Sequence, residues 1–91
     1  MVSERRVTVI NELGMHARPA AEFVKLAGKF ESEISVAKDG DTVNGKSIMG
    51  VMTLAAECGA ELLLRADGSD AEAAVAALAA LVANKFEITN E

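Results

Sequence analysis

Ile34-Ser35-Val36-Ala37-Lys38-Asp39-Gly40-Asp41-Thr42-Val43 is the stretch on which the fold turns. Ile34 to Ala37 alternate in the period of a strand with one buried face, and Asp39-Gly40 is a dipeptide favoured in tight hairpins. Two short antiparallel strands are expected. Upstream, Ala17, Ala20, Phe23, Val24, Ala27 and Phe30 recur at helical spacing while Glu22, Lys25 and Lys29 fall elsewhere on the wheel. This predicts an amphipathic helix. Pro19 is tolerated near its start, where the first N–H groups have no intrahelical partner to lose, so the helix is expected to begin just after His16. Before it, the β-branched run Arg5-Arg6-Val7-Thr8-Val9-Ile10 suits a strand with Val7 and Val9 facing inward, broken by Asn11-Glu12-Leu13-Gly14.

Downstream, Ser47 is placed to cap a helix from Ile48 to about Glu57, ended by Gly59. Ala60 to Ala66 reads as a strand and Asp67-Gly68 as a turn. Ser69 and Glu72 have capping-box spacing, and Ala71, Ala74, Val75, Leu78, Leu81 and Val82 form the clearest helical stripe. The order is βαββαβα. Helices and hairpin strands in this order share one core only if the sheet buries one face under the helices and leaves the other in water. The expected class is α+β, a two-layer open-faced sandwich whose four-stranded antiparallel sheet carries three helices on one face. Leu63 should then lie on the outer face, and residues 1–91 should form a single domain.

The chain has 91 residues, 51% of them hydrophobic, enough for one modest core and too few for a two-domain enzyme. Nine Lys and Arg against fourteen Asp and Glu give a net charge of −5, and the basic residues are scattered. A nucleic-acid backbone would be repelled, and with 3% aromatic residues a base-stacking surface is not expected either. No export-signal pattern follows the basic start, and the apolar stretch from Ala73 to Ala83 is too short to cross a bilayer. No membrane insertion, a cytoplasmic location and a monomer are the expectations. Cys58 has no disulfide partner and is expected to be a small buried hydrophobe, while Asp39, Asp41, Asp67 and Asp70 are read as turn residues.

His16 is the one histidine, which rules out a site built on paired imidazoles. No metal or cofactor is expected. The residue sits at the mouth of a helix whose first N–H groups, on Ala17 and Arg18, point outward, and Arg18 adds a fixed positive charge. A nucleophilic imidazole beside an anion-binding helix end suits reversible capture of a phosphoryl group. Acyl chemistry is less natural, since no Ser or Cys lies nearby in sequence.

Gly14-Met15-His16-Ala17-Arg18-Pro19-Ala20 resembles the active-site segment of the HPr family, the histidine-containing phosphocarriers of the bacterial phosphoenolpyruvate-dependent phosphotransferase system. Asn44-Gly45-Lys46-Ser47-Ile48-Met49-Gly50-Val51-Met52 is similar to that family's regulatory segment. The resemblance runs from about Arg5 to Phe86. It implies a carrier, not an enzyme, in which Nδ1 of His16 takes a phosphoryl group from enzyme I and yields it to IIA-type domains for sugar uptake. Arg18 and the amides of Ala17 and Arg18 would hold the phosphate. Ser47 would be the target of a serine kinase/phosphorylase in bacteria that possess one.

Ile48, Met49, Val51, Met52, Leu54 and Ala55 put apolar groups on nearly every side of a short helix. Val51, Leu54 and Ala55 suffice for the core, which leaves Ile48, Met49 and Met52 as a docking patch suited to several partners. Two other readings stay open. A nitrogen-related paralogue is similar at Gly-Met-His-Ala-Arg-Pro, although the Lys46-Ser47-Ile48-Met49-Gly50 block favours the carbohydrate form. A regulatory adaptor would act through phospho-Ser47 on a transcription regulator, and would not need the nucleophile at His16.

Overall fold

The computed structural model of the chain describes residues 1–87, so residues 88–91 of the expected 1–91 domain lie outside the described residues. The strands are β1 (Val2–Thr8), β2 (Glu33–Lys38), β3 (Asp41–Asn44) and β4 (Glu61–Asp67); the helices are α1 (Ala17–Ala27), α2 (Ile48–Thr53) and α3 (Ala71–Ala83). A short turn of left-handed residues, Lys85–Glu87, follows α3. All strand pairs are antiparallel and the sheet order is β1-β4-β2-β3. The α+β open-faced sandwich expected from the pattern is therefore the observed architecture.

The hairpin forms as its sequence dictates. Asp39 and Gly40 both take positive φ, 50° and 88°, and Lys38 pairs with Asp41 across them, which is the backbone of a type I′ turn. Alternation then sorts the faces of the sheet. Ile34 and Val36 of β2 and Leu62, Leu64 and Ala66 of β4 point into the core, against Ala20, Phe23 and Ala27 of α1 and Ala74, Val75, Leu78 and Val82 of α3. The opposite face carries Arg6–Glu61 (3.2 Å) and Arg65–Glu4 (3.5 Å), exposed pairs that contribute little to stability and keep the bare face polar. Leu63 is half-buried there.

Several expectations need correction. β1 begins at Val2, because ladder pairing with β4 continues beyond the alternating run to Val2 opposite Asp67. α2 stops at Thr53 instead of Glu57: its last N–H groups, Leu54 and Ala55, bond three residues back, and Ala55 turns left-handed at φ 50°. That reversal leaves Ala55 exposed and delivers Ala56 to the core, 4% accessible, in the place expected for Ala55. Cys58 is carried outward on the same loop and is exposed, not buried. After α3, Lys85, Phe86 and Glu87 all take positive φ, and this turn folds Phe86 back into the core at 1% accessibility.

The start of α3 also differs. Its N-cap is Asp70, one residue past the Ser69 of the expected capping box, and the Asp70 side chain makes no cap bond. Its carboxylate instead accepts from the N–H groups of Glu31 (2.8 Å) and Ser32 (2.9 Å) and from the Ser32 hydroxyl. The residue is thus more than a turn former. It ties the segment after α1 to the start of α3. These bonds, that from the Ser32 hydroxyl foremost, hold the Asp70 carboxyl below the usual carboxylate range. A folded value below the unfolded one gives a stabilisation that is complete above the unfolded value, about 3.9, and is lost as pH falls through the folded one. Asp70→Asn should therefore melt at a lower temperature than the parent at neutral pH and show a shallower loss of melting temperature below about pH 4, measured by circular dichroism.

Candidate phosphoryl-acceptor site

His16 is the N-cap of α1, with extended backbone (φ −86°, ψ −171°) and no side-chain cap hydrogen bond. The helical ladder opens with the Ala20 N–H on the His16 carbonyl at 3.0 Å, so the N–H groups of Ala17 and Arg18 have no acceptor within the helix. Ala17 and Arg18 are exposed, His16 is half-buried, and Pro19 is buried beneath them. Partial positive charge of the helix start and the guanidinium of Arg18 thus occupy the same first turn as the imidazole. That arrangement can receive a doubly charged phosphoryl group on the ring.

The segment leading to His16 is held from both sides. Asn11, with no accessible surface, donates from Nδ2 to the Gly14 carbonyl at 2.6 Å, and the Gly14 N–H returns to the Asn11 carbonyl at 3.1 Å. The Met15 N–H donates to the Ala56 carbonyl at 2.7 Å and its side chain is buried. Gly14 is needed twice over here. It sits at φ 72°, and a Cβ there would run into the Ala56 carbonyl oxygen and lie 2.9 Å from the Glu57 Cα. The sequence marked these residues only as a strand break, because a seam between two distant loops leaves no local period.

Ser47 caps α2 as expected, its Oγ accepting from the Gly50 N–H at 3.1 Å. Next to it, Lys46 Nζ donates to the Phe30 carbonyl just past α1, at 2.7 Å. Met15 meets Ala56 just past α2, so the two packed helices run antiparallel. Val51 and Leu54 are buried, whereas Ile48, Met49 and Met52 keep 41%, 71% and 39% of their surface. Leu13, in the loop before His16, is exposed at 63% and adds an apolar group that periodicity on α2 alone does not reveal. Among the described residues no group of three His, Cys, Asp or Glu side chains is placed to hold a metal ion, and no helix is long and apolar enough to cross a membrane.

A family model described as the PTS HPr component phosphorylation site matches residues 3–84. The chain belongs to the HPr family. It is 48% identical over 83 residues to the phosphocarrier protein HPr of Cupriavidus necator, covering 91% of this chain and 93% of that one. The crystal structure of HPr from Thermoanaerobacter tengcongensis superposes with a TM-score of 0.92 at 45% identity, covering 97% of this chain and 99% of the other. The Bacillus subtilis catabolite repression protein Crh, described as an intertwined dimer with a swapped domain, matches at 46% identity with a TM-score of 0.75, over 89% of this chain and 93% of that one. As an HPr-type phosphocarrier, the protein relays a phosphoryl group and is not an enzyme.

Gly14→Ala should lower the stability of this HPr-family domain by about 2–4 kcal/mol, the sum of a left-handed Cβ and an overpacked seam. Gly40→Ala, at φ 88° with open space around it, should lower it by only about 1 kcal/mol. Urea unfolding of both variants measures the difference.

Proposed function

We propose that His16 accepts the phosphoryl group on Nδ1 from the phosphohistidine of enzyme I and passes it to a IIA-type domain in sugar uptake. The Nδ1 lone pair attacks phosphorus, the N–P bond of the donor breaks, and the donor imidazole leaves with the electron pair. In the onward step a nucleophile of the IIA domain attacks the phosphorus, the N–P bond to His16 breaks, and Nδ1 leaves with the electron pair. Arg18 and the N–H groups of Ala17 and Arg18 bind the oxygens in flight. The observation that carries this reading is the N-cap position of His16, whose side chain leaves the first turn of α1 uncapped while its backbone opens the helix. The work is cytoplasmic and the working unit a monomer.

Incubation with enzyme I and phosphoenolpyruvate should label the parent with an acid-labile, base-stable phosphoryl group. Mass spectrometry of His16→Ala after the same incubation should find none. Retention of acid-labile label would reject the assignment.

Ser47 is proposed as a regulatory site for a serine kinase/phosphorylase. Its capping bond makes the position tolerant of a phosphate, since a helix N-terminus favours an anion, while about −1.5 to −2 charge beside Ile48, Met49 and Met52 opposes any partner that must desolvate that patch. Ser47→Asp is expected to keep stability within about 1 kcal/mol of the parent while slowing acceptance from enzyme I. A melting curve and an initial transfer rate on one preparation test this; an unchanged rate would leave Ser47 as a cap alone. The adaptor and nitrogen-related readings predict, respectively, no transfer and transfer only from a dedicated enzyme I.

A further inference from the structure

Asn11 stands out among the buried side chains: with Ser32 it is one of the two polar residues buried in the described structure, and no step of the phosphoryl transfer uses it. Placing an amide in a core is costly unless its hydrogen bonds are made. Its Nδ2 reaches the Gly14 carbonyl at 2.6 Å, and that same oxygen accepts the His16 N–H at 3.0 Å. One carbonyl therefore joins the amide of Asn11 to the backbone of the phosphoryl acceptor. Two further constraints act on the same loop: the Met15 N–H, on the other edge of the peptide plane that carries the Gly14 carbonyl, donates to the Ala56 carbonyl, and a Cβ on the left-handed Gly14 would meet Ala56 and Glu57.

We propose that Asn11 is a positioning residue for phosphoryl transfer, aiming the Gly14 carbonyl so that His16 is held in its extended N-cap conformation. The proposal rests on His16 being the acceptor. With the Nδ2 donor absent, the peptide plane between Gly14 and Met15 has one fewer bond to fix its tilt. The acceptor of the His16 N–H is then held only through the Met15 bond to Ala56, and the looser aim lets the ring drift from its register with the N–H groups of Ala17 and Arg18. The docking patch on α2 is untouched by this change. The expected deficit thus lies in the rate within the complex and not in formation of the complex.

Asn11→Asp keeps the shape of the side chain and removes the donor; Asn11→Ala removes the side chain as well. Steady-state transfer from enzyme I, with concentrations counted as folded protein from one-dimensional NMR, separates kcat from KM. For both variants kcat should fall about tenfold or more, the scale of loss that small misplacement of a reacting group produces, with KM within about twofold of the parent. Nitrogen-15 spectra of the parent provide a reading that needs no variant: the Asn11 side-chain amide should shift when His16 is phosphorylated. Parent-like kcat in a folded variant, or an Asn11 amide that does not respond, would overturn the positioning role. Parent protein that takes no phosphoryl group from enzyme I would instead overturn the assignment of His16 on which the role rests.

Discussion

Everything in this fold depends on β4 lying between β1 and β2. Its backbone is paired along both edges, with Val7 opposite Leu62 on one side and Val36 opposite Leu64 on the other. Every second residue, Leu62, Leu64 and Ala66, is driven into the core, and none retains accessible surface. A central strand with both edges filled fixes register strongly, because a slip by one residue would turn those three side chains to water and bring Arg65 inward. The helices take their positions from that register. α3 packs on β1 and β4, and α1 packs on α2 and α3, so the start of α1 is placed by contacts made far from it in sequence.

The periodicities that identify elements are local, and they were legible. The hairpin turn, the start of α1 after His16, the cap at Ser47 and the stripe of α3 all follow from patterns within about a dozen residues. What the sequence did not reveal depends on partners distant in the chain. α2 stops early because Ala56 is required by Met15 and by the core, and Cys58 is exposed because the same loop reverses at Ala55. Asp70 was legible as a residue near a turn, but its bonds to Glu31 and Ser32 were not, since nothing near position 70 records what the end of α1 needs.

At the candidate site, the residues proposed for the chemistry were more legible than the groups that hold them in place. His16 and Arg18 stand out as an imidazole and a cation at a helix start, which the structure places at the N-cap and first turn of α1. Asn11 and Gly14 carry no comparable signal, because what makes them matter is a buried amide and a close backbone approach. The apolar groups fall between these cases. Ile48, Met49 and Met52 were legible as a surplus on a short helix, whereas Leu13 joins them as an exposed apolar group only once the loop is folded.

The seam between Met15 and Ala56 also imposes an order of assembly on a chain made from its N-terminus. His16 leaves the ribosome long before its scaffold: the carbonyl that binds Met15 comes after α2, and the strand that pairs with β1 comes later still. These contacts are non-local, so the loop before α1 can be completed only once the chain as far as Ala56 is available, and β1 can pair only once β4 is made. A chain that stops short of Ala56 therefore displays the Gly-Met-His-Ala-Arg-Pro motif without the carbonyl that holds Met15 beside it.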